Sequence, residues 1–138
     1  MPETDPDCLF CAIVAGTIDA QIIDQSEQAV AFMDINPATR GHVLVVPRVH
    51  CSDLYEISAG DLAETAALAR QVALRIRDKL GADGVNLLNS CRPAAWQTVF
   101  HFHMHVIPRY EGDPLQLPWV PEAGDSDSIA ACAAALRS

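Results

Sequence analysis

Three of the five histidines of this chain stand at every second position of the stretch HFHMHVIP, as His101, His103 and His105. Alternate side chains of an extended strand lie on one face, so this spacing predicts that the three imidazoles share one side of a sheet. A neutral imidazole near pH 7 can attack a substrate, hold a proton or bind a metal. A histidine-rich strand without chemistry would need a buried hydrogen-bond partner for each ring. The row is therefore the first candidate for a catalytic site.

A nucleophilic imidazole needs a partner on its other nitrogen and donors that take up charge developing on the substrate. The polar residues that could supply these groups are His105, His42, Asn89 and Gln97. A catalytic metal on the same histidines would need a further ligand, and no Asp or Glu lies inside the flanking strands. The nucleophile has fewer requirements, but the residues alone leave the metal as an alternative.

Cys8 and Cys11 form a C-x-x-C pair near the start of the chain. A redox pair of this kind is expected at a helix start that follows a strand, and only a tail precedes this one. A tetrahedral zinc site would need two more ligands, for which His50 and His101 are available. Spacing alone leaves structural zinc and unbound thiols as equal alternatives.

One carboxylate and several apolar residues each have a structural and a ligand-binding interpretation. Asp34 follows an apolar strand and precedes a loop, where a carboxylate commonly caps a turn. The same carboxylate could accept hydrogen bonds from vicinal ribose hydroxyls. Phe10, Ile13 and Phe32 are core residues by type, and they could equally form the wall of a base pocket.

The overall composition excludes several classes of partner. The 138 residues carry 9 Lys and Arg against 18 Asp and Glu, a formal charge of −9. Such a chain lacks the basic face that general nucleic-acid or acidic-membrane binding requires. No stretch has the length of a membrane span or the form of a signal peptide. Five cysteines, an odd number, do not suggest a disulfide framework. We therefore expect a cytoplasmic protein with no nucleic-acid or membrane partner.

The elements that must position these residues follow from periodicity and turn residues. CLFCAIVA predicts a short helix capped by Asp7 and ended by Gly16. QIIDQSEQAVAFMD predicts a hairpin with a tight turn at residues 26–28, and HVLVVPR predicts a strand buried on both faces. Residues 58–80 predict the one long helix, ended by Gly81. Its apolar stripe consists of Leu62, Ala66, Ala69, Ala73 and Ile76.

The second half of the chain completes the sheet. GVNLLNS and VFHFHMHVIPR predict two further strands. A proline-rich tail then predicts an extended segment, followed by a last helix capped near Ser126 or Asp127. This order indicates an α+β fold, a five-stranded antiparallel sheet with one long helix, short terminal helices and the helices on one side. We expect a single domain over residues 1–138, with a core of about 8–110 and a tail of 111–138.

Together these segments resemble a known family. QTVFHFHMH resembles the histidine triad (HIT) signature, in which histidines and apolar residues alternate after a glutamine. CLFCAIVAGTIDA, AFMDINPATRGHVLVVPRVH, the long helix and NLLNS resemble the Hint-type branch in the same order. The resemblance covers roughly residues 8–110 and is specific as a whole, although each piece alone is not. It implies a HIT-like fold whose sheet extends across a homodimer.

The resemblance also implies an enzyme that hydrolyses purine nucleoside phosphoramidates and related nucleotides without an organic cofactor. By the family pattern, His103 attacks the α-phosphorus and forms a nucleotidyl-histidine, which water hydrolyses to a nucleoside monophosphate. The other catalytic positions that it implies are His105, His42 and Thr98. The substrate-binding positions that it implies are Asp34 at the ribose, Asn89 and Gln97 near the phosphate, and Phe10, Ile13, Phe32 and Ile35 around the base.

Zinc-carrying members of the family are similar to this chain at four further positions, so the resemblance implies structural zinc on Cys8, Cys11, His50 and His101. Two departures stand out. The chain has CRPAAW where many relatives carry a glycine-rich segment, so Trp96 can change the leaving-group preference. The tail is also longer than in compact relatives, and Trp119 could contact the substrate or the second subunit.

Two alternative functions would use the same site residues. The first is hydrolysis of dinucleoside polyphosphates, or nucleotidyl transfer, through the same histidine. The second is a nucleotide-binding or interaction module with little catalysis. Loss of the middle histidine would mark such a module, and His103 is intact in this chain.

Overall fold

The structure is a computed structural model that describes residues 4–138 and contains a five-stranded antiparallel sheet. The strands are β1 (Ile22–Gln25), β2 (Ala29–Met33), β3 (Val43–Pro47), β4 (Gly84–Leu88) and β5 (Met104–Arg109). They lie in the order β1-β2-β3-β5-β4. The helices are α1 (Leu9–Ala15), α2 (Ala59–Leu80) and α3 (Ser126–Arg137). The predicted α+β class and the five-stranded antiparallel sheet are confirmed.

The central strand β3 is buried along its whole length, as its apolar sequence VLVVP predicts. It pairs with β2 on one side, where Ala31 lies opposite Val45, and with β5 on the other, where His105 lies opposite Leu44. The turn between β1 and β2 is closed by Ser26, whose N–H donates to the carbonyl of Ala29 at 2.8 Å. The predicted hairpin is confirmed.

Helices cover both faces of the sheet, so the prediction that they lie on one side is wrong. The long helix α2 packs on one face, against residues that include Ala31, Val45 and Val106. The short helix α1 packs on the other, where Phe10 and Ile13 contact the alternate set Val30, Phe32, Leu44 and Val46. Because β2 and β3 are apolar at every position, both faces need a cover. His105 lies on the α1 face, opposite Leu44.

The long helix α2 begins and ends where the sequence predicts. The Ser58 hydroxyl accepts the N–H of Asp61 at 3.1 Å, and Gly81 ends the helix in the left-handed conformation. Its buried stripe is slightly rotated from the predicted one and consists of Thr65, Leu68, Ala69, Val72 and Ile76. Thr65 can be buried because its hydroxyl donates to the carbonyl of Asp61 at 2.7 Å, which satisfies the polar group.

Both terminal helices are capped by residues other than those predicted. The cap of α1 is Cys8, whose Sγ accepts the N–H of Cys11 at 3.4 Å, and Asp7 lies outside the helix. The cap of α3 is Asp125, which accepts the N–H of Ser128 at 2.9 Å. Neither Ser126 nor Asp127 takes that place. Several neighbouring residues could cap each helix, and the path of the incoming chain decides among them.

The last strand is shorter than predicted. It begins at Met104, and His101 and His103 lie in the segment before it. The N–H of Phe102 donates to the carbonyl of Cys51 at 2.7 Å and is therefore not available to the sheet. The prediction of one continuous strand through all three histidines is therefore wrong. Their rings still share the α1 face, because Phe10 contacts the rings of His101 and His103, and the ring centroids of His103 and His105 lie 5.1 Å apart.

The tail after β5 is tied down only at its start. Arg109 donates two hydrogen bonds of 2.8 Å to the Asp113 carboxylate and one of 3.1 Å to the carbonyl of Leu115. These bonds lower the pKa of Asp113 well below its usual range. Residues 116–125 are exposed and irregular, and α3 buries none of its residues. Between residues 4 and 138, no helix has the length and hydrophobicity needed to cross a membrane.

Candidate active site and metal centre

Cys8, Cys11, His50 and His101 come together at one end of the molecule. Their ligand atoms lie within 4.8 Å of one another. Nδ1 of His101 lies 3.4 Å from Sγ of Cys8 and 3.5 Å from Sγ of Cys11, and Nδ1 of His50 lies 3.4 Å from Sγ of Cys11. Tetrahedral zinc at its usual bond lengths separates sulfur and nitrogen ligands by roughly 3.6 Å. The cluster therefore has the dimensions of a closed zinc site.

The surroundings of the cluster also suit a cation. Nε2 of His101 lies 2.8 Å from the carbonyl of Pro47, which can only accept, so Nε2 carries the proton and Nδ1 keeps its lone pair. Such a backbone bond is what orients metal-bound histidines in other proteins. Burial raises the pKa of the Cys11 thiol, and a bound cation would counter this by holding the thiolate. The residues thus fit structural zinc.

His103 is buried, and a backbone carbonyl binds one nitrogen of its ring. Its Nδ1 lies 2.7 Å from the carbonyl of His101, so Nδ1 must be the protonated nitrogen of a neutral ring. Burial lowers the pKa of His103, which keeps the ring neutral at pH 7. The edge of the ring meets Phe10, with centroids 5.1 Å apart. Nε2 therefore keeps a free lone pair, which is what a nucleophile requires.

His42 and His105 form a hydrogen-bonded pair whose proton positions can be derived. The N–H of Ala38 donates to Nδ1 of His42 at 2.9 Å, so the proton of a neutral His42 is on Nε2. That Nε2 lies 2.9 Å from Nδ1 of His105, which must accept. Burial lowers the pKa of His42 and lowers that of His105 to about 4, so both rings are neutral. Nε2 of His105 is left as a donor. We call the chain Ala38, His42, His105 the histidine relay.

Asp34, His42 and His105 also bring three potential metal ligands within 4.8 Å. Two imidazoles and a carboxylate can hold a divalent metal. However, the Nδ1 lone pair of His42 is occupied by the Ala38 N–H, so Nε2 could bind a metal only as an imidazolate. The hydrogen bond to His105 needs no such deprotonation. The relay geometry therefore favours proton placement over metal binding.

A pocket of about 340 Å³ opens beside these rings on the α1 face of the sheet. Its polar lining consists of His103, His105, Asp34, Thr98, Asp19 and Asn36. Its apolar wall contains the predicted base-contacting residues Phe10, Ile13, Phe32 and Ile35. Ile35 is 89% exposed at the mouth, whereas Phe10 and Phe32 are buried and meet edge to face. The pocket thus joins an imidazole end to an apolar end.

Asp34 has one carboxylate oxygen committed and one available. Oδ1 accepts the N–H of Asn36 at 2.8 Å, as a turn carboxylate commonly does. Oδ2 lies 3.6 Å from Nε2 of His42, too far for a direct hydrogen bond. The structural and the ligand-binding interpretations of Asp34 are therefore compatible, because the two oxygens can serve different partners.

Two predicted phosphate-side residues lie behind the pocket. Asn89 donates to the carbonyl of His103 at 3.0 Å, and its buried Oδ1 has no hydrogen-bond partner among residues 4–138. The Gln97 amide donates to the carbonyls of Ser52 and Val99 at 2.7 and 3.1 Å. Neither side chain is part of the pocket wall. Their contact with a phosphate stays a prediction, while their contacts with the backbone around His103 and Thr98 are direct.

The loop before Gln97 contains features that sequence reasoning missed. Arg92 and Trp96 flank a turn of 3-10 helix, Pro93–Ala95, with φ of 75° and 77°. Non-glycine residues in such conformations cost roughly 1–3 kcal/mol each, and they persist when their surroundings hold them. The departure from a glycine-rich segment was the available signal. The backbone partners Pro47 and Ala38, which orient His101 and His42, have no sequence signature.

The chain matches the model of the HIT domain family over residues 15–112. It is 39% identical over 119 residues to the "Protein hit" of Bacillus subtilis (strain 168), which covers 86% of this chain and 82% of that protein.

Two solved structures share the fold. The crystal structure of SMU.412c from Streptococcus mutans UA159 superposes with a TM-score of 0.93 at 34% identity, covering 99% of this chain and 87% of that one. A zinc-bound histidine triad family protein from Mycobacterium smegmatis superposes with a TM-score of 0.77 at 39% identity, covering 95% of both chains. This zinc-bound neighbour and the Cys2His2 cluster confirm the prediction of structural zinc.

Proposed function

The chain belongs to the HIT domain family, and on that basis we propose that it is a nucleotide hydrolase acting on purine nucleoside phosphoramidates. The family includes nucleotide hydrolases and transferases. The observation that carries the proposal is the orientation of His103. A backbone carbonyl fixes the proton on Nδ1 and burial keeps the ring neutral, so Nε2 offers a lone pair in a pocket of nucleotide dimensions.

In the proposed reaction, Nε2 of His103 attacks the α-phosphorus of the bound nucleotide. A phosphorus–nitrogen bond to His103 forms while the bond to the leaving amine breaks. The amine keeps the electron pair and takes a proton from bulk water, which regains one from the water molecule consumed in the second step. The His105 Nε2–H donates to a phosphoryl oxygen as negative charge builds there. Water then cleaves the histidine–phosphorus bond and releases a nucleoside monophosphate. The ring of His103 returns to its neutral form.

The two ends of the pocket support the assignment of the remaining groups. We assign the free Oδ2 of Asp34 to the ribose hydroxyls and the apolar wall around Phe10 and Phe32 to a purine base. The net charge of −9 disfavours a polyanion, so the donors that hold the phosphate must be local. We assign Thr98, which lines the pocket near His103, to the leaving-group side. A phosphoramidate fits these constraints better than a dinucleoside polyphosphate, which carries more negative charge.

Zinc has a structural role in this proposal. It would join α1 to the segment that carries His101, and the carbonyl of that residue orients His103. Cysteine ligands of this type require reduced thiols, which the cytoplasm maintains, and we place the enzyme there.

We further propose that the functional form is a homodimer joined at β4. This strand is an edge of the sheet, and Leu87 and Leu88 on it are 49% and 39% exposed. An unpaired edge with apolar side chains is a natural site for pairing with a second chain. Light scattering after size-exclusion chromatography should give twice the chain mass. A monomer at micromolar concentration would contradict this part of the proposal.

The proposed function is tested by following nucleoside monophosphate release from adenosine 5′-phosphoramidate and from a diadenosine polyphosphate under the same conditions. We expect faster release from the phosphoramidate, and acid-quenched protein should carry a nucleotidyl group on His103. His103→Ala serves as the control that cannot form the intermediate. Preference for the polyphosphate would support the alternative hydrolase. Nucleotide binding without release from either substrate would support the binding module.

A further inference from the structure

Arg92 has a backbone conformation that few residues other than glycine adopt. Its φ of 75° and ψ of 161° lie in a region that is essentially restricted to glycine, and Trp96, four residues later, also has a positive φ. An unrestrained chain would leave this conformation, so neighbouring groups must hold it. The residues around Arg92 show which groups these are.

The guanidinium of Arg92, whose side chain is 62% exposed, contacts two groups. Its Nε donates to Oδ2 of Asp53 at 3.1 Å, and its Cζ lies 5.0 Å from the centroid of the Tyr55 ring. Asp53 is a buried carboxylate whose Oδ1 also accepts the N–H groups of Tyr55 and Glu56, at 3.0 and 3.2 Å. Both oxygens of Asp53 are thus engaged, and its position is fixed by the turn that follows it.

The backbone of Arg92 is in turn bonded to Gln97. The N–H of Arg92 donates to Oε1 of Gln97 at 2.6 Å, and the N–H of Gln97 donates to the carbonyl of Arg92 at 3.1 Å. The Gln97 amide also donates to the carbonyl of Val99, so it spans Thr98. Thr98 lines the same pocket as His103. A continuous path of bonds therefore leads from Asp53 to the pocket wall.

We propose that Asp53 and Arg92 are positioning residues: their ion pair holds the strained backbone at Arg92, and through Gln97 that backbone fixes Thr98 beside the nucleophile. Arg92 points to Asp53 and Tyr55 and is not part of the pocket wall, so it acts through other residues. The inference deepens the proposed function and rests on it for its kinetic readout. It also explains how this chain maintains an arginine at a positive-φ position of the loop.

Three variants test the ion pair by kcat and KM on adenosine 5′-phosphoramidate. Arg92→Ala keeps the strain and removes the guanidinium, and Asp53→Asn removes the charge but keeps an oxygen for the two N–H groups. We expect both to lower kcat by roughly tenfold or more with little change in KM, because a small misplacement of a catalytic group is costly. Arg92→Gly removes the guanidinium and the strain together, and we expect its kcat within about threefold of wild type, since glycine adopts this φ freely.

The edge strand β1 supplies a matched control. Asp24 pairs with Arg75 at 3.2 Å, and its other oxygen accepts the N–H of Gln25, which repeats the bonding of Asp53 away from the pocket. Asp24→Asn should leave kcat and KM unchanged. Adding Asp53→Asn to Arg92→Gly should cause no further loss if the pair acts as one unit. Equal losses for Arg92→Ala and Arg92→Gly would overturn the proposal, because the guanidinium would then act directly.

A second readout does not depend on activity. In a Trp119→Phe background, Trp96 is the remaining tryptophan and reports on the loop. We expect lower fluorescence anisotropy for Trp96 in Arg92→Ala and Asp53→Asn, and a value like that of the parent in Arg92→Gly. Unchanged anisotropy in all three variants would overturn the ion-pair proposal even if the enzyme is active. If the anisotropy changes as expected but the protein does not cleave the phosphoramidate, the proposed function alone would be contradicted.

Discussion

The zinc cluster and the histidine relay both contain imidazoles, but the backbone places the proton of the ring differently in each. In the zinc cluster, the Pro47 carbonyl accepts a hydrogen bond from Nε2–H of His101, so Nδ1 is free for a metal. In the relay, the Ala38 N–H occupies Nδ1 of His42 and leaves a proton on Nε2 for His105. The difference teaches that the backbone group on the second nitrogen decides the role of a histidine, more than its place in a motif.

The largest expected effect separates chemistry from folding. His103→Ala should lower kcat by at least about a thousandfold, because it removes the proposed nucleophile and with it the proposed covalent pathway. Zinc content, measured by atomic emission, should remain at about one ion per chain, and the far-ultraviolet dichroism should not change. Loss of zinc in this variant would mean that the two imidazole clusters are not separate in function.

Loss of zinc should affect stability more than any change in the relay. Cys11→Ser removes a buried ligand, and we expect the free energy of unfolding to fall by at least about 3 kcal/mol, since structural zinc contributes about 10–16 kcal/mol of binding free energy in small domains. Zinc content should drop toward zero. Cys132→Ser, at an exposed position of α3, is the control and should match wild type in urea denaturation. A stable, zinc-loaded Cys11→Ser would contradict the ligand assignment.

The relay can be altered without touching either the nucleophile or zinc. His42→Ala leaves Nδ1 of His105 without its donor, and we expect kcat to fall by roughly 10- to 100-fold as His105 loses its fixed proton position. His42→Gln can keep a donor near the place of Nε2 and should recover part of that loss. Equal rates for the two variants would argue that the hydrogen bond to His105 is unimportant. Zinc content should stay at about one per chain in both.

The smallest effect is a pH dependence of stability. Burial lowers the pKa of His105 to about 4 from an ordinary value of 6.5, so below pH 6.5 the unfolded chain binds a proton that the folded chain does not. The stability from the neutral ring is complete above pH 6.5 and is lost as the pH falls toward 4. The slope should be well below 1.4 kcal/mol per pH unit, because His105 is only partly buried. The free energy of unfolding, measured by urea denaturation at several pH values, should depend less steeply on pH in His105→Asn than in wild type.

Much of the frame could be predicted from the sequence because its signals are local. The apolar run of β3, the turn before β2 and the Ser58 cap of α2 each depend on a few adjacent residues. The packing of helices on both faces of the sheet was harder to predict, because the seven residues of α1 are too few for a clear apolar periodicity. The start of β5 was missed because the N–H of Phe102 donates to the carbonyl of Cys51, which lies 51 residues earlier in the chain.

The members of the candidate site were predicted better than their proton positions. Spacing alone leaves zinc and unbound thiols as equal alternatives, whereas the resemblance to zinc-carrying HIT proteins implies the four ligands, which the structure brings together. The tautomers depend on the carbonyls of Pro47 and His101 and on the N–H of Ala38, and every residue carries such groups. Their placement is a property of the folded backbone, so no side-chain pattern could have revealed it.

The length of strand β3 also sets the distance between the two imidazole clusters. His42 stands immediately before it and Pro47 is its last residue, so its five residues set a spacing of about 17 Å between the relay and the carbonyl that orients His101. Deleting one residue inside β3 would turn one end of the strand to the opposite face and disconnect one cluster. We therefore expect insertions and deletions to be tolerated in the tail and excluded from β3, which a deletion scan scored for zinc content and activity would reveal.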